Sequence, residues 1–403
     1  MRVKKFNLYV NHKISPFNKS ISVDSDKSLS IRSFLIGSIC QGTSIANNVL
    51  ESEDVKSAIK VCRDLGVKII KVKKKTYKIY GNGLGSFAIK KNSVLNFNNS
   101  GTLCRLITGI ISTTPNIDVK IKGDQSLNKR SMKRLIYLMS EFGAIFTPKN
   151  KYNLPLKMTS SPMPVGINYK AGVSAQLKSA VILAGLNSYG KTIIEEKVQS
   201  RDHTENLLKT NTQSIKIKKN KSKVIVIEGK KYLKPFKINI GGDPSSAAFF
   251  TTLTLLNQNS SLKIKNVGLN PTRIGFYNIL KKQKAKIKFF NVRKENNEVI
   301  GDILVKSCKL KPIKSPASMY PSTTDEFLLL FLIAGLQNGI SIFKGIADLA
   351  NKESSRAHEM KKILNQVGIK CKLKKDEIKI YGKGMINASN KKIIIGNLQD
   401  HRI

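Results

Sequence analysis

One local pattern of polar and apolar positions recurs along the chain. A short polar cluster is followed by small and apolar residues at helical spacing, then by a Gly or Asn turn and a β-type segment. This order predicts a helix whose first turn carries the polar cluster, followed by a strand. The six clusters are Asp26-Lys27-Ser28, Ser100-Gly101-Thr102, Ser174-Ala175-Gln176, Pro244-Ser245-Ser246, Thr324-Asp325-Glu326 and Asp400-His401-Arg402. They recur roughly every 70–80 residues, which is typical of repeated supersecondary units.

A second pattern, from helix to strand, lies inside these repeats. It is seen in residues 59–69, 135–145 and 363–372. Apolar residues at i, i+3 and i+4 are followed by Gly66, Gly143 or Gly368, and then by β-type residues. Glycine at this place favours the left-handed conformation that ends a helix. The two patterns together predict an α/β fold of two domains with three units each, the sixth unit being incomplete because the chain reaches Ile403 where its helix should begin.

Composition excludes a disordered or fibrous chain, and the charge favours anionic partners. The 403 residues are 40% hydrophobic, with 71 Lys+Arg against 26 Asp+Glu and a formal net charge of +45. Such a charge attracts nucleic acid, acidic membrane surfaces or small phosphorylated substrates. Lysine is, however, spread along the whole chain together with many Ile and Asn, as the codon usage of an AT-rich genome would produce. A nucleic-acid binder would confine it to one stripe with interleaved aromatics, and the chain has no Trp.

The apolar segments and the cysteines predict a cytoplasmic protein without structural metal. Residues 1–13 contain no apolar signal core, and the longest apolar run, 327–336, is too short to span a membrane. The five cysteines are far apart and form no CxxC pair, so neither a disulfide framework nor a zinc site is expected. Cys40, Cys62 and Cys104 fall on apolar helical faces and are expected to be buried.

The arginines are concentrated where the helices are predicted to begin. Only eleven of the 71 basic residues are Arg. Seven of these lie in or beside the polar clusters: Arg32, Arg105, Arg130, Arg201, Arg273, Arg356 and Arg402. Free N–H groups at a helix N-terminus favour anions, and Arg adds a planar fork for carboxylate or phosphate. The alternative is that the Ser, Thr and Asp residues there are only helix caps.

The motifs resemble, in order, those of the 5-enolpyruvylshikimate-3-phosphate synthase family. In the first part of the chain the matching stretches are residues 26–32 (DKSLSIR), 99–106 (NSGTLCRL), 123–127 (GDQSL) with Arg130, 174–180 (SAQLKSA) and 200–205 (SRDHTE). In the second part they are residues 242–249 (GDPSSAAF), 270–273 (NPTR), 325–326 (DE), 352–356 (KESSR) and 400–403 (DHRI). The SAQLK and SRDHTE stretches are similar to the second of the family's two sequence classes.

The resemblance implies a two-domain enolpyruvyl transferase fold with the active site in the cleft between the domains. Each domain would contain three βαβαββ units. The family's first domain is discontinuous, so we expect residues 1–24 and 243–403 to form it and residues 25–242 to form the second. The family continues beyond the DHRI stretch, and we therefore expect this sequence to be a fragment.

The resemblance also implies an activity. The enolpyruvyl group of phosphoenolpyruvate would be transferred to the 5-hydroxyl of shikimate 3-phosphate, with release of phosphate. Asp325 would be the base at the 5-hydroxyl and Glu353 the acid and base at the methylene carbon. No metal or organic cofactor, nucleic acid or membrane is expected to take part, and we expect a monomer.

The implied ligands of the two substrates follow position by position. Shikimate 3-phosphate would be bound by Lys27, Ser28, Arg32, Ser174, Gln176, Ser200, Asp325 and Lys352. Phosphoenolpyruvate would be bound by Lys27, Gly101, Arg130, Gln176, Arg356 and Arg402. Of these, Ser28 and Arg32 are expected at the shikimate carboxylate, and Ser174, Ser200 and Lys352 at its 3-phosphate. His203 is assigned no role.

Two alternatives remain open from the sequence. The sister enolpyruvyl transferase that acts on UDP-N-acetylglucosamine shares the fold and chemistry but uses a reactive loop cysteine, whereas Cys104 is predicted to lie in a helix. A lysine-rich nucleic-acid binder would be retained on DNA in a strongly salt-dependent way.

Overall fold

The computed structural model describes residues 14–219, 222–352, 354–384, 386, 393–395 and 400. Glu353, Arg402 and most of the sixth polar cluster lie outside these residues. The described strands are β1 (Asn18–Ser22), β2 (Gln41–Asn47), β3 (Lys68–Lys73), β4 (Thr76–Asn82), β5 (Ser93–Asn96), β6 (Asp118–Lys122), β7 (Ile145–Thr147), β8 (Leu156–Thr159), β9 (Asn168–Ala171), β10 (Lys191–Glu196), β11 (Ile215–Lys219), β12 (Lys223–Glu228), β13 (Lys237–Asn239), β14 (Ser261–Gly268), β15 (Ile287–Glu295), β16 (Glu298–Lys306), β17 (Lys314–Ser315), β18 (Asn338–Lys344), β19 (Lys370–Leu373) and β20 (Glu377–Lys383).

The helices alternate with these strands. They are α1 (Lys27–Ile39), α2 (Glu53–Asp64), α3 (Gly101–Ser112), α4 (Gln125–Lys129), α5 (Lys133–Glu141), α6 (Ala175–Leu186), α7 (His203–Leu208), α8 (Pro244–Leu256), α9 (Gly275–Lys282), α10 (Tyr320–Thr323), α11 (Phe327–Gly335) and α12 (Arg356–Gln366), with 3₁₀ turns at Ala317–Met319 and Ala347–Asn351. None of the helices in the described ranges is long and apolar enough to cross a membrane.

The described strands form five four-stranded sheets that share one plan. In the sheet β5-β6-β8-β7, β5 and β6 are parallel, and β8 is antiparallel to both β6 and β7. Helix α3 connects the two parallel strands, and α4 and α5 lead on to the antiparallel pair. The order βαβαββ is the predicted repeat, and the predicted α/β fold is confirmed.

Two of the sheets exchange their first strands. Strand β1 directly precedes α1, yet it pairs in parallel with β14. Strand β13 directly precedes α8, yet it pairs in parallel with β2. The chain therefore crosses twice between two groups of sheets, and the crossings meet at an antiparallel bridge between Ser25 and Gly242.

The buried apolar side chains form two clusters. The first core extends from Leu29 to Ile240. The second core extends from Ala247 to Ile380 and also packs against Phe17, Ile21 and Val23 near β1. Helices α1, α3 and α6 lie inside the first core, which explains why their sequences are apolar or small on nearly every face.

The predicted helix ends and starts are found in the structure. Gly66, Gly143 and Gly368 follow α2, α5 and α12 with φ of 89°, 94° and 82°, and each is followed by a strand. Only glycine takes this left-handed conformation without strain. The polar clusters lie at the starts of α1, α3, α6 and α8, so the first turns of the repeated helices are placed where the sequence predicts.

Candidate active site

A cleft of about 1710 Å³ is lined by elements of both cores. The first turns of α1, α3, α4, α6 and α12 face it. Its basic lining residues are Lys27, Arg32, Arg105, Lys129, Arg130, Lys133, Arg134, Arg201, Arg273, Lys352, Arg356, Lys374 and Lys375, against the acidic residues Asp243, Asp325 and Asp348. Helix N-termini and excess positive charge make this cleft suited to small polyanions.

At the start of α1, a buried carboxylate and a buried guanidinium fix the first turn. Asp26 caps the helix by accepting a hydrogen bond from Leu29 N at 2.8 Å. One turn on, Arg32 donates to Thr204 Oγ1 at 2.8 Å, Ser179 Oγ at 3.1 Å and the carbonyl of Ser28 at 3.1 Å. Burial lowers the pKa of Arg32 to about 10, so the guanidinium remains charged at neutral pH. The Arg32 side chain is thus a rigid cation in the cleft wall.

Lys27, beside this turn, points to the same cleft. Its ammonium group pairs with Asp54 at 2.9 Å, and both side chains are about one-quarter exposed. An ion pair this accessible to water is weak and can rearrange when an anion enters.

The starts of α3 and α6 are joined by hydrogen bonds across the cleft floor. Gln176 Oε1 accepts from Arg105 Nη1 at 2.9 Å, and Gln176 Nε2 donates to Thr102 Oγ1 at 3.0 Å. Ser174 caps α6 through Leu177 N. The amide of Gln176 is therefore held in one orientation by a hydrogen bond at each end.

Gly101 lies where two guanidinium groups approach the backbone. A Cβ at this position would lie 2.8 Å from Arg105 Nη1 and 3.1 Å from Arg130 Nη1. Arg130 itself donates to Asn99 Oδ1 at 2.5 Å and to Ser126 Oγ at 3.3 Å. The missing side chain at Gly101 is what leaves room for both arginines beside the first turn of α3.

Asp325 links the two sides of the cleft. Its carboxylate is 2.8 Å from Arg201 Nη1, which belongs to the first core's elements, and 3.5 Å from Arg356 Nη1 in α12. Arg356 in turn forms a two-pronged pair with Asp400, at 2.9 Å from Nε and 3.2 Å from Nη2. The Asp325 side chain stays 20% exposed, so it is accessible from the cleft.

Lys352 lies at the rim. Its ammonium group is 2.6 Å from Asp348, which also accepts a hydrogen bond from the Tyr320 hydroxyl at 2.9 Å. Both Lys352 and Asp348 line the cleft, and the lysine is about one-quarter exposed.

Ser200 is held by a buried network of four charged residues. Lys178 pairs with Glu196 and Glu205 at 2.8 Å each, and Lys223 pairs with Glu205 at 3.0 Å. Burial alone would raise the pKa of Glu205, but the two ammonium groups hold it below its ordinary value. Ser200 donates its hydroxyl to Glu196 Oε1 at 2.6 Å, and its N–H donates to the same oxygen at 2.7 Å.

The structure brings most of the predicted site residues together. Those that line the cleft are Lys27, Ser28, Arg32, Arg130, Ser174, Gln176, Asp325, Lys352 and Arg356. Gly101 lies beside Arg105 and Arg130, whereas Ser200 does not line the cleft and turns its hydroxyl to Glu196. Glu353 and Arg402 are not among the described residues.

Among the cleft residues that were not predicted as ligands, two contact predicted ones. Arg105 orients Gln176, and Arg201 contacts Asp325. The concentration of arginines near the polar clusters was the available signal, but it could not show which of them would reach the cleft.

Cys104 and the possible metal ligands among the described residues bear on two of the sequence predictions. Cys104 is buried in α3, and burial raises the pKa of its thiol to about 12. A thiol in this state is a poor nucleophile, so Cys104 does not fit the reactive cysteine of the sister transferase. No group of three His, Cys, Asp or Glu side chains in the described residues could hold a metal ion.

The chain is similar to known proteins over nearly its whole length. The family model for EPSP synthase (3-phosphoshikimate 1-carboxyvinyltransferase) matches residues 11–403. The 3-phosphoshikimate 1-carboxyvinyltransferase of Zymomonas mobilis is 37% identical over 98% of this chain and 87% of that protein. The protein of the same name from Petrotoga mobilis is 37% identical over 96% of this chain and 88% of that protein.

A solved structure agrees with these sequence comparisons. The EPSP synthase of Acinetobacter baumannii superposes with a TM-score of 0.79 and 36% identity, covering 92% of this chain and 83% of that chain. Sequence, fold and the arginine-lined cleft thus lead to one conclusion: the chain belongs to the EPSP synthase family.

Proposed function

We propose that the chain transfers the enolpyruvyl group of phosphoenolpyruvate to the 5-hydroxyl of shikimate 3-phosphate and releases phosphate, a step in the biosynthesis of aromatic amino acids. The names of its relatives support this reaction. The observation that carries the proposal is the convergence of several helix N-termini, Arg32, Arg130 and Arg356 on one cleft that also contains Asp325. Two phosphorylated carboxylic acids need such a concentration of fixed positive charge to bind side by side.

The reaction needs one base and one acid. The 5-hydroxyl oxygen adds to C2 of phosphoenolpyruvate while the methylene carbon C3 takes up a proton. The resulting tetrahedral intermediate then loses a proton from C3 and expels phosphate, which restores the double bond. We assign the removal of the hydroxyl proton to Asp325 and the proton transfers at C3 to Glu353.

The surroundings of Asp325 support its role. Its ion pairs with Arg201 and Arg356 are those of an ionised carboxylate, the state that a general base requires. Its neighbours belong to opposite sides of the cleft, so both sides hold the base in place.

The substrate ligands are proposed in two groups. Arg32, Ser28, Lys27, Ser174, Gln176 and Lys352 would bind shikimate 3-phosphate; Arg130, Gly101, Gln176, Lys27, Arg356 and Arg402 would bind phosphoenolpyruvate. Ser200 joins the first group only if its hydroxyl turns away from Glu196, because a serine has a single proton to donate.

The domain organisation is also a proposal. The strand exchange and the two apolar cores support a boundary near residues 24 and 243, with residues 1–24 and 243–403 in one domain and 25–242 in the other. We further propose that the protein acts in the cytoplasm as a monomer, without a cofactor.

Calorimetric titration with shikimate 3-phosphate tests the function, with UDP-N-acetylglucosamine as the second titrant. We expect saturable binding of shikimate 3-phosphate alone. Arg32→Ala should raise its Kd by about 100-fold, because a buried charged ligand of the carboxylate is lost. Arg63→Ala is the matched control, since Arg63 lies in α2 and does not line the cleft.

Each other outcome contradicts the proposal in its own way. Binding of the nucleotide sugar alone would move the chain to the sister transferase. Equal effects of Arg32→Ala and Arg63→Ala would place the carboxylate site elsewhere. Absence of binding by a folded chain would reject shikimate 3-phosphate as its substrate.

A further inference from the structure

We propose that Asp202 and His203 are positioning residues that hold Arg201 against Asp325. They do so by binding residues 201–205, here termed the anchor segment, to elements of the second core. The inference rests on the proposed function insofar as Asp325 is the base. The residues concerned are Arg201, Asp202 and His203, together with the Asn-Pro-Thr-Arg motif at residues 270–273. None of them belongs to the proposed ligand set.

Asp202 reaches across to the Asn-Pro-Thr-Arg motif between β14 and α9. Its Oδ1 accepts hydrogen bonds from Asn270 Nδ2 at 2.8 Å and from Asn206 Nδ2 at 3.2 Å. Thr272 Oγ1 lies 3.2 Å from the same oxygen, but its hydroxyl has a closer acceptor in Asn270 Oδ1, at 2.7 Å. Thr272 also donates its N–H to Asn270 Oδ1 at 2.8 Å, so Thr272 fixes the orientation of the Asn270 amide. The carboxylate of Asp202 is therefore bound by an amide that the motif itself holds in place.

His203 makes the second link to the same region. Its Nδ1 lies 2.9 Å from Glu298 Oε1, at the tip of the β15–β16 hairpin. Burial alone would raise the pKa of Glu298, but His203 and the hydrogen bonds from Asn270 and Asn206 hold it below its ordinary value. Glu298 thus accepts a hydrogen bond from Nδ1–H. Asn270 Nδ2 donates to Glu298 Oε2 at 2.9 Å and so joins this link to the Asp202 link.

The next two residues turn back towards the first core. Thr204 Oγ1 accepts from Arg32 Nε at 2.8 Å, and Glu205 pairs with Lys178 at 2.8 Å. Within five consecutive residues, three side chains contact the second core's elements and two contact the first core's. The anchor segment therefore joins α1 and α6, which start at the cleft, to the opposite side of the site.

Arg201 is placed by this arrangement. It directly precedes Asp202, and consecutive Cα atoms are only about 3.8 Å apart, so the anchors of Asp202 and His203 restrict where the Arg201 backbone can lie. From that place its guanidinium reaches Asp325 at 2.8 Å. Loosening the anchors should move Arg201 and, with it, the carboxylate of the proposed base.

His203 is buried and also lines the cleft. Its Nδ1 link to Glu298 therefore lies at the edge of the site, two positions from Arg201 in the sequence.

The test compares three variants of the 403-residue chain. His203→Leu removes the Nδ1 donor, whereas His203→Asn keeps an N–H donor near the same place. Asp302→Asn is the control. Asp302 is a buried carboxylate in β16, the strand that also contains Glu298, but it is bound by Asn266 and Asn291 and does not line the cleft. Turnover of phosphoenolpyruvate with shikimate 3-phosphate, the Kd of each substrate, and backbone hydrogen exchange of the ligand-free protein are measured.

We expect His203→Leu to lower kcat by about 10- to 100-fold, the effect of a small misplacement of a reacting group, with each Kd changed less than about threefold. His203→Asn should recover most of kcat, and Asp302→Asn should leave it unchanged. Exchange should rise in residues 203–208 and also in residues 320–326 around Asp325, which a purely local role of His203 would not affect.

Other results overturn the proposal. Unchanged exchange in residues 320–326 of folded His203→Leu would show that the anchor does not reach Asp325. Equal kcat losses in His203→Leu and Asp302→Asn would reduce the effect to general destabilisation. If the unmodified chain binds or converts neither substrate, the proposed function fails, while the exchange comparison, which needs no substrate, still decides the anchor.

Discussion

At the scale of single residues, Asp325 and Glu326 are adjacent but lie in opposite surroundings. Asp325 faces the cleft and pairs with Arg201 and Arg356. Glu326, at the N-cap of α11, is buried and accepts a hydrogen bond from the Ser245 hydroxyl. Burial, with the neighbouring charge of Asp325, raises the pKa of Glu326. A pair of consecutive carboxyl groups thus provides one carboxylate that is accessible from the cleft and one group that resists ionisation.

This difference predicts the effects of two isosteric substitutions. Asp325→Asn should lower kcat by about 10²- to 10⁴-fold, the usual contribution of a general base. Glu326→Gln should leave kcat nearly unchanged and should not lower the free energy of unfolding at pH 8. A raised pKa means that ionisation is less favourable in the folded than in the unfolded chain, so the charge of Glu326 destabilises at alkaline pH and not at acid pH.

Steady-state kinetics and urea unfolding at pH 5 and pH 8 measure both effects. The assignment of the base to Asp325 would be wrong if Glu326→Gln caused the larger loss of kcat.

At the scale of elements, the cleft depends on the close packing of α3 against α6. Gly109 in α3 lies against the backbone of α6: a Cβ there would meet the carbonyl oxygen of Ala180 and lie 2.9 Å from its Cα. Because backbone cannot turn aside as a flexible side chain can, the spacing of the two helices depends on this glycine. The same two helices begin at Gly101 and Ala175, so their spacing also sets the distance between their first turns in the cleft.

Gly109→Ala should therefore lower the free energy of unfolding by about 1–3 kcal/mol, as overpacking of a core usually does. Gly172→Ala is the matched control, because a Cβ at Gly172 has no heavy atom of the described residues within 4 Å. Urea denaturation of both variants measures the difference. If Gly109→Ala is as stable as Gly172→Ala, α3 and α6 can move apart without a loss of folding free energy, and Gly109 does not set their spacing.

At the scale of the whole molecule, buried carboxylates couple stability to pH. Burial alone would raise the pKa values of Asp26, Glu205 and Glu298, but Arg273, the two lysines and His203, respectively, hold them below their ordinary values. Groups of this kind stabilise the fold above their unfolded pKa, and the stabilisation is lost as the pH falls through the folded pKa. Acid unfolding should therefore begin as the pH falls below about 4.5, the ordinary pKa of Glu.

Glu205→Gln tests this coupling. At pH 7 it should be less stable than the unmodified chain, because Lys178 and Lys223 lose a buried counterion. Between pH 7 and pH 3.5 the free energy of unfolding of this variant should fall by less than that of the unmodified chain, because one titrating group has been removed. Glu53→Gln, at an exposed position in α2, is the control for the general effect of the net charge. Equal pH dependence of all three proteins in urea unfolding would contradict the prediction.

Much of the local structure and part of the site followed from the sequence. The starts of α1, α3 and α6 were predictable because a cap and the helical spacing of apolar residues are both local signals. The glycines after α2, α5 and α12 were predictable because the left-handed conformation disfavours other residues. The resemblance to a known family supplied the residues that meet at the cleft, which no local pattern contains.

Tertiary structure alone decided which distant groups meet. A β-type segment does not specify its partner, so the exchange of β1 and β13 between sheets could not be predicted from either strand. Likewise, the contact of Asp202 with Asn270 joins residues 68 positions apart and depends on how their two regions pack together. Whether Ser200 faces the cleft or Glu196, and which of two adjacent carboxyl groups is exposed, depends on the packing around them. The sequence by itself determined the repeating units and their chemistry, because these rest on short-range spacing; the arrangement of the site across two cores was decided by long-range packing.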